Sequence, residues 1–108
     1  MTHSEAVSLV RGKTNRDRRK VGNNTYAEIL PDGSVGVTLH STCVVRIYED
    51  GTYKLANGGW KTVTTKDRIN KYSPHKVIQR NYEWSVTIQC EEGLYTSVPF
   101  YSGMVIGN

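Results

Sequence analysis

The 108-residue sequence has only two cysteines, three prolines, one phenylalanine, and no apolar run near the roughly 20 residues that span a bilayer. Each scarcity excludes something. Cys43 and Cys90 are too few for a disulfide scaffold and too far apart for a redox or zinc motif, so both are expected to be reduced, partly buried thiols. His3, His40 and His75 are dispersed, and no carboxylates pair at metal-binding spacing, so neither a metal nor a cofactor is expected. Thr2, His3, Ser4 and Glu5 stand where a secretory leader would place positive charge and then apolar residues, so no leader and no membrane partner are expected. The length suits one hydrophobic core rather than two.

The formal net charge is +4, and its position matters more than its size. Residues 1–20 carry six Lys/Arg against two acidic residues, whereas residues 21–108 carry eight of each. The excess therefore belongs wholly to the leading segment. Residues 11–20 have no apolar side chain, so the sequence divides into a basic, flexible arm at 1–20 and a single β-rich domain at 21–108. Ser4–Val10 reads as either a short helical turn or an extended contact segment. Residues 11–20 could neutralise phosphates of a nucleic acid, or could simply be solvated.

From Tyr26 onward, short β-branched and aromatic runs alternate with turn signals. Strands are expected at Thr25–Leu30, Val35–Leu39, Val44–Tyr48, Thr52–Leu55, Lys76–Gln79, Trp84–Gln89 and Tyr95–Phe100. The stretch Ser102–Ile106 is expected as an edge strand, and Cys90–Gly93 as a polar loop. Pro31-Asp32-Gly33 presets a turn, and Asp50-Gly51 marks a hairpin. A two-residue Asp50-Gly51 loop would set Tyr48 opposite Tyr53 and Arg46 opposite Leu55, giving one aromatic face. Thr64 and Asp67 resemble a capping box, and Pro74 forbids a helix much beyond Tyr72. A helix is therefore expected at about 65–72, with Thr65, Ile69 and Tyr72 facing the sheet. Lys66, Arg68 and Asn70 would be lateral or exposed. The fold class is mainly β, a β-rich α+β arrangement: a bent antiparallel sheet or partly open barrel with this one helix.

Two stretches could carry chemistry. In the first, Gly58 and Gly59 permit close backbone approach, and a helix N-terminus supplies open amides. With Thr62, Thr64, Thr65, Lys66 and Arg68 this is what a phosphate requires, although the spacing is not that of a P-loop. The alternative makes Gly58-Gly59 a tight turn, Trp60 core and the threonines caps. The second is Leu39-His40-Ser41-Thr42, which looks like one half of the paired His-x-Thr pattern of two-histidine phosphoesterases. The other half is missing, so catalysis by His40 and Thr42 would need His75 or a second subunit as acid.

The run Gly58-Gly59-Trp60-Lys61-Thr62-Val63-Thr64-Thr65-Lys66-Asp67-Arg68-Ile69-Asn70 resembles a Gly-Gly-Trp-x-Thr-Val-Thr-Thr-Lys-Asp-Arg-Ile-Asn block of small bacteriophage proteins of unassigned function. The similarity extends to Asn23–Tyr26, Leu39-His40-x-Thr42, Asp50-Gly51 and Val98–Met104, covering roughly residues 20–108 without the arm. It implies viral origin and a host bacterial cytoplasm. Joined to the residues above, it makes the leading expectation a non-enzymatic binder of a small nucleotide, with the base on Tyr26, Tyr48 or Trp60 and phosphates near Thr64–Lys66. The ligand class would be a nucleotide second messenger of host antiviral defence, sequestered in counter-defence, with a homo-oligomer completing the pocket. The alternatives are a metal-independent phosphodiesterase using His40, a nucleic-acid-binding accessory protein using residues 11–20, and an inhibitor docking through a sheet edge.

Overall fold

The computed structural model describes residues 1–89, 93 and 95–107. The expected Cys90–Gly93 loop and the Cys90 thiol lie largely or wholly outside them. In chain order the elements are α1 (His3–Arg11), β1 (Arg18–Gly22), β2 (Thr25–Ile29), β3 (Val35–Leu39), β4 (Thr42–Ile47), β5 (Tyr53–Leu55), α2 (Val63–Tyr72), β6 (Lys76–Arg80), β7 (Glu83–Gln89), β8 (Tyr95–Pro99) and β9 (Met104–Ile106). The β-rich class is borne out. In place of one bent sheet or open barrel with one helix, the described residues form two helices and two antiparallel sheets, ordered β1-β2-β3-β4-β5-β9 and β6-β7-β8.

Alternation of side chains along each strand makes one face of the larger sheet the core. Ala27, Val35, Val37, Leu39, Val45, Ile47, Tyr53, Leu55, Met104 and Ile106 are all buried. Both helices cover this face: α1 adds Ala6 and Val10, and α2 adds Thr65, Ile69 and Tyr72. Val77, Trp84 and Val86 bring the smaller sheet into the same cluster.

The leading segment departs most from its sequence reading. Ala6 and Val10 are 1% and 0% exposed, so α1 is part of the core. Its N-terminus closes with a capping box in which Thr2 accepts from the Glu5 amide and Glu5 accepts from the Thr2 amide. At its C-terminus, Arg16 Nε donates to the Val10 carbonyl and an Arg19 guanidinium nitrogen donates to the Leu9 carbonyl, each at 3.0 Å. Cations are favoured at that end of the helix dipole. Arg11 pairs with Asp17, and Arg18 pairs with Glu28 while stacking over Tyr26. The basic run is thus an edge strand and a helix cap rather than an arm, and four of its six cations are tied internally. Positive charge on an edge strand also discourages pairing with another chain.

The β4–β5 hairpin corrects a register. Val45 faces Leu55, Arg46 faces Lys54 and Ile47 faces Tyr53, one residue away from the expected pairing. The loop is the three-residue Glu49-Asp50-Gly51, closed by Tyr48 and Thr52, with Gly51 at φ 89°. A one-residue slip sends each side chain to the other face. Tyr53 therefore packs inward, whereas Tyr48 lies outside against Arg46, and the predicted aromatic face does not form.

Cys43 is an exposed residue, but its thiol is partly buried: Sγ donates to the Val45 carbonyl at 3.5 Å, and desolvation pushes its pKa above the usual thiol value. His75, by contrast, is 6% exposed, packs edge-on against Tyr53 with ring centroids 5.6 Å apart, and has no partner for Nδ1 among the described residues. Burial holds its pKa below the ordinary 6.5. As pH falls the unfolded chain takes up this proton first, so stability is complete above about 6.5 and declines below it. Glu5, Asp32 and Asp50 are held below the usual carboxylate range by hydrogen bonds with Thr2, Ser34 and Thr52 respectively, so their loss comes only at lower pH. Thermal melts of His75→Gln should show a flatter dependence than wild type between about pH 7 and pH 5. Identical slopes in the two proteins would remove His75 from this account.

Candidate functional site

The two stretches singled out in the sequence meet at one cleft. It opens beside α2 and has a volume of about 530 Å³. One wall is the β3–β4 hairpin with Leu39, His40, Ser41, Thr42 and Val44, and another is the β1–β2 turn with Asn23 and Asn24. Asn57 and Trp60 come from the β5–α2 loop, and Thr62, Thr64, Thr65 and Arg68 from the start of α2. The size falls in the roughly 300–1,000 Å³ range of small-molecule pockets.

Local conformation explains the placement. Leu39 pairs with Thr42, so His40-Ser41 is a two-residue hairpin loop, with His40 at φ 57° at its first position. His40 thus stands on the turn that directly follows β3, and its amide donates to the Asn24 carbonyl, which joins two cleft walls. An extra residue, Val44, enters β4 between the Val37–Val45 and Thr38–Cys43 pairs, a bulge that bends the strand beside the cleft.

In the β5–α2 loop, the Asn57 side chain accepts from the Gly59 amide at 2.8 Å, and the Asn57 carbonyl accepts from the Trp60 amide. Ser102 Oγ accepts from the Asn57 and Gly58 amides. These glycine amides are consumed inside the protein and do not form a phosphate cradle. The expected close backbone approach is instead to Thr42: a Cβ on Gly58 would lie 2.7 Å from Thr42 Cγ2, and Gly58 has φ 60°. Gly58→Ala should cost about 1–3 kcal/mol. Thr42→Ala in that background should recover the steric part but not the backbone part, a difference that urea denaturation of the double-mutant cycle resolves.

α2 begins two residues earlier than the sequence suggests. Its N-cap is Thr62, whose Oγ1 accepts from the Thr65 amide and bonds Thr65 Oγ1 at 2.9 Å, while the Lys66 amide donates to the Thr62 carbonyl. The amides of Val63 and Thr64 remain as open donors of the first turn. Ser73, extended ahead of Pro74, ends the helix. Trp60 is 66% exposed at the cleft, which overturns its reading as core.

Lys66 does not reach the cleft; its Nζ donates to Gln79 Oε1 at 2.9 Å, toward β6. Asn70 also binds β6, exchanging two hydrogen bonds with the Val77 backbone. Arg68 lines the cleft but is heavily engaged. It is ion-paired with Asp67, donates from Nε to Thr25 Oγ1 at 2.9 Å and contacts the Asn23 carbonyl. Tyr26 and Tyr48 lie on the outer face of the larger sheet, stacked with Arg18 and Arg46, away from the cleft. His75, buried against Tyr53, is likewise absent from the lining and cannot serve His40 there. Asn23, Asn24 and Asn57 are lining residues to which the sequence reading gave no role; the left-handed turn at Asn24 and the Asn57-Gly58 turn are their sequence signals.

No group of three or more potential metal-ligating side chains occurs among the described residues, and no described helix is long and apolar enough to cross a membrane. No curated protein and no solved structure matches the chain. A family model described as Kyanoviridae Gp96 protein matches residues 3–107, which includes α1 as well as the region of the expected phage resemblance. The chain belongs to this bacteriophage family, the Kyanoviridae Gp96 proteins.

Proposed function

We propose that the protein binds a small nucleotide in the cleft between the β3–β4 hairpin and α2 and sequesters it without chemistry. The carrying observation is that an exposed indole, Trp60, shares one cavity with the open turn of α2 and with polar side chains. Base stacking on an aromatic ring contributes about 1–3 kcal/mol and tolerates many bases. Family membership supports a viral setting, so the ligand is taken to be a nucleotide second messenger of host antiviral defence, met in the host cytoplasm. The β9 edge of the larger sheet, which lacks the positive charge of β1, offers a route to a homo-oligomer.

Thermal shift with a panel of mono-, di- and cyclic nucleotides tests the reading. Wild type should be stabilised by at least one member, and Trp60→Ala should lose most of that shift while keeping its own midpoint, because the ring is largely exposed. No shift with any member, or an undiminished one in Trp60→Ala, removes the proposal. A second reading rests on His40 and Thr42 lining the same cleft: metal-independent phosphodiester cleavage with His40 as base. Recovery of cleaved nucleotide from wild type but not from His40→Ala would favour it over sequestration.

A further inference from the structure

The anion-binding capacity of this cleft is small. Among the described lining residues Arg68 is the only lysine or arginine, and that guanidinium already serves Asp67, Thr25 and the Asn23 carbonyl. Lys66 is turned to Gln79, and the amides of Gly58, Gly59 and Thr65 are spent on Ser102, Asn57 and Thr62. What remains is the Thr64 hydroxyl, the open amides of the first helical turn and a fraction of one cation. A triphosphate or a phosphomonoester, the latter with about 1.5–2 negative charges at neutral pH, would be left undercompensated. A phosphodiester carries one negative charge.

Neutral recognition, by contrast, is plentiful. The Asn23 and Asn24 amides, the His40 ring, Ser41 and the Trp60 N–H make no side-chain hydrogen bond to the described residues, and Asn57 keeps its amide N–H2 unused. Planar amides match the donor–acceptor edges of bases without any charge, and Trp60 can take the ring face.

We infer that the cleft selects nucleotides whose phosphate is a singly charged diester, as in cyclic nucleotides, over phosphomonoesters and polyphosphates. This rests on the nucleotide reading above and names its substrate class. The test is calorimetric titration of the full chain with nucleoside, 3′,5′-cyclic monophosphate, 5′-monophosphate and 5′-triphosphate of each common base, at low and high salt. For the base that binds, the cyclic form should be tightest, about tenfold over the nucleoside, with little dependence on salt. Thr64→Val should erase that tenfold advantage without weakening the nucleoside, and Lys66→Ala should change neither. A triphosphate that binds tightest with steep salt dependence overturns the inference and leaves the nucleotide reading standing. Equal affinity for nucleoside and cyclic form also overturns it. Absence of binding by every compound overturns both.

Discussion

A chain lacking residues 1–11 is expected not to fold cooperatively. α1 lies over the inner face of β1, β2 and β3, and its removal would expose the apolar surface that Ala6 and Val10 cover. Removal would also strand the Arg16 and Arg19 donors that satisfy the Val10 and Leu9 carbonyls. Domains of this size have about 5–15 kcal/mol of stability in total. Val10→Asp, placing an unpaired carboxylate at a site with 0% exposure, should cost several kcal/mol and unfold most of the population, whereas Val10→Ala should cost about 1.5–3 kcal/mol. Far-ultraviolet circular dichroism and thermal melts check the series. A truncated chain that melts within a degree or two of wild type would restore the flexible-arm reading. The same result bears on nucleic-acid binding, since loss of affinity on deleting this segment would report unfolding before it reported lost phosphate contacts.

The range of the forces involved decides which features were legible in the sequence and which were hidden. The β2–β3 turn at Pro31–Gly33, the α2 face at Thr65, Ile69 and Tyr72, and the strands from β2 onward depend on local backbone preference and periodicity and were legible, whereas β1 lay in the run read as an arm. α1 was legible only as the helical one of two options for Ser4–Val10, because its apolar stripe is only two buried residues wide and acquires meaning once β1, β2 and β3 lie beneath it. The basic run looked like an arm for the same reason: Arg16 and Arg19 find their acceptors only once α1 exists. The β4–β5 register turned on whether Glu49 belongs to the loop, a choice that burying Ile47 with Tyr53 and Leu55 decides. At the cleft, residue types pointed to the right segments but not to side-chain direction. Trp60, Thr62, Thr64, Thr65, Arg68, His40 and Thr42 converge, while Lys66, one residue along the same helix, faces β6.

Ile69 should be the position where fold and cleft are most tightly coupled. It is 0% exposed and lies midway along the buried stripe of the helix that walls the cleft. The other ties of α2 are polar and lateral: Arg68 to Thr25, Asn70 to the Val77 backbone and Lys66 to Gln79. Ile69→Ala should cost about 2–5 kcal/mol and Ile69→Val about 0.5–1.5 kcal/mol, read from urea unfolding. Destabilisation alone does not imply a loosened cleft, so the comparison is Val86→Ala, equally buried but in β7 and outside the cleft lining. Under conditions where all three variants remain folded, Ile69→Ala should weaken nucleotide affinity by about tenfold or more, as expected when a pocket wall loses its fixed position. Val86→Ala should bind as wild type does. Equal loss of affinity in both would mean that binding follows global stability, and unchanged affinity in both would mean that α2 does not shape the ligand site.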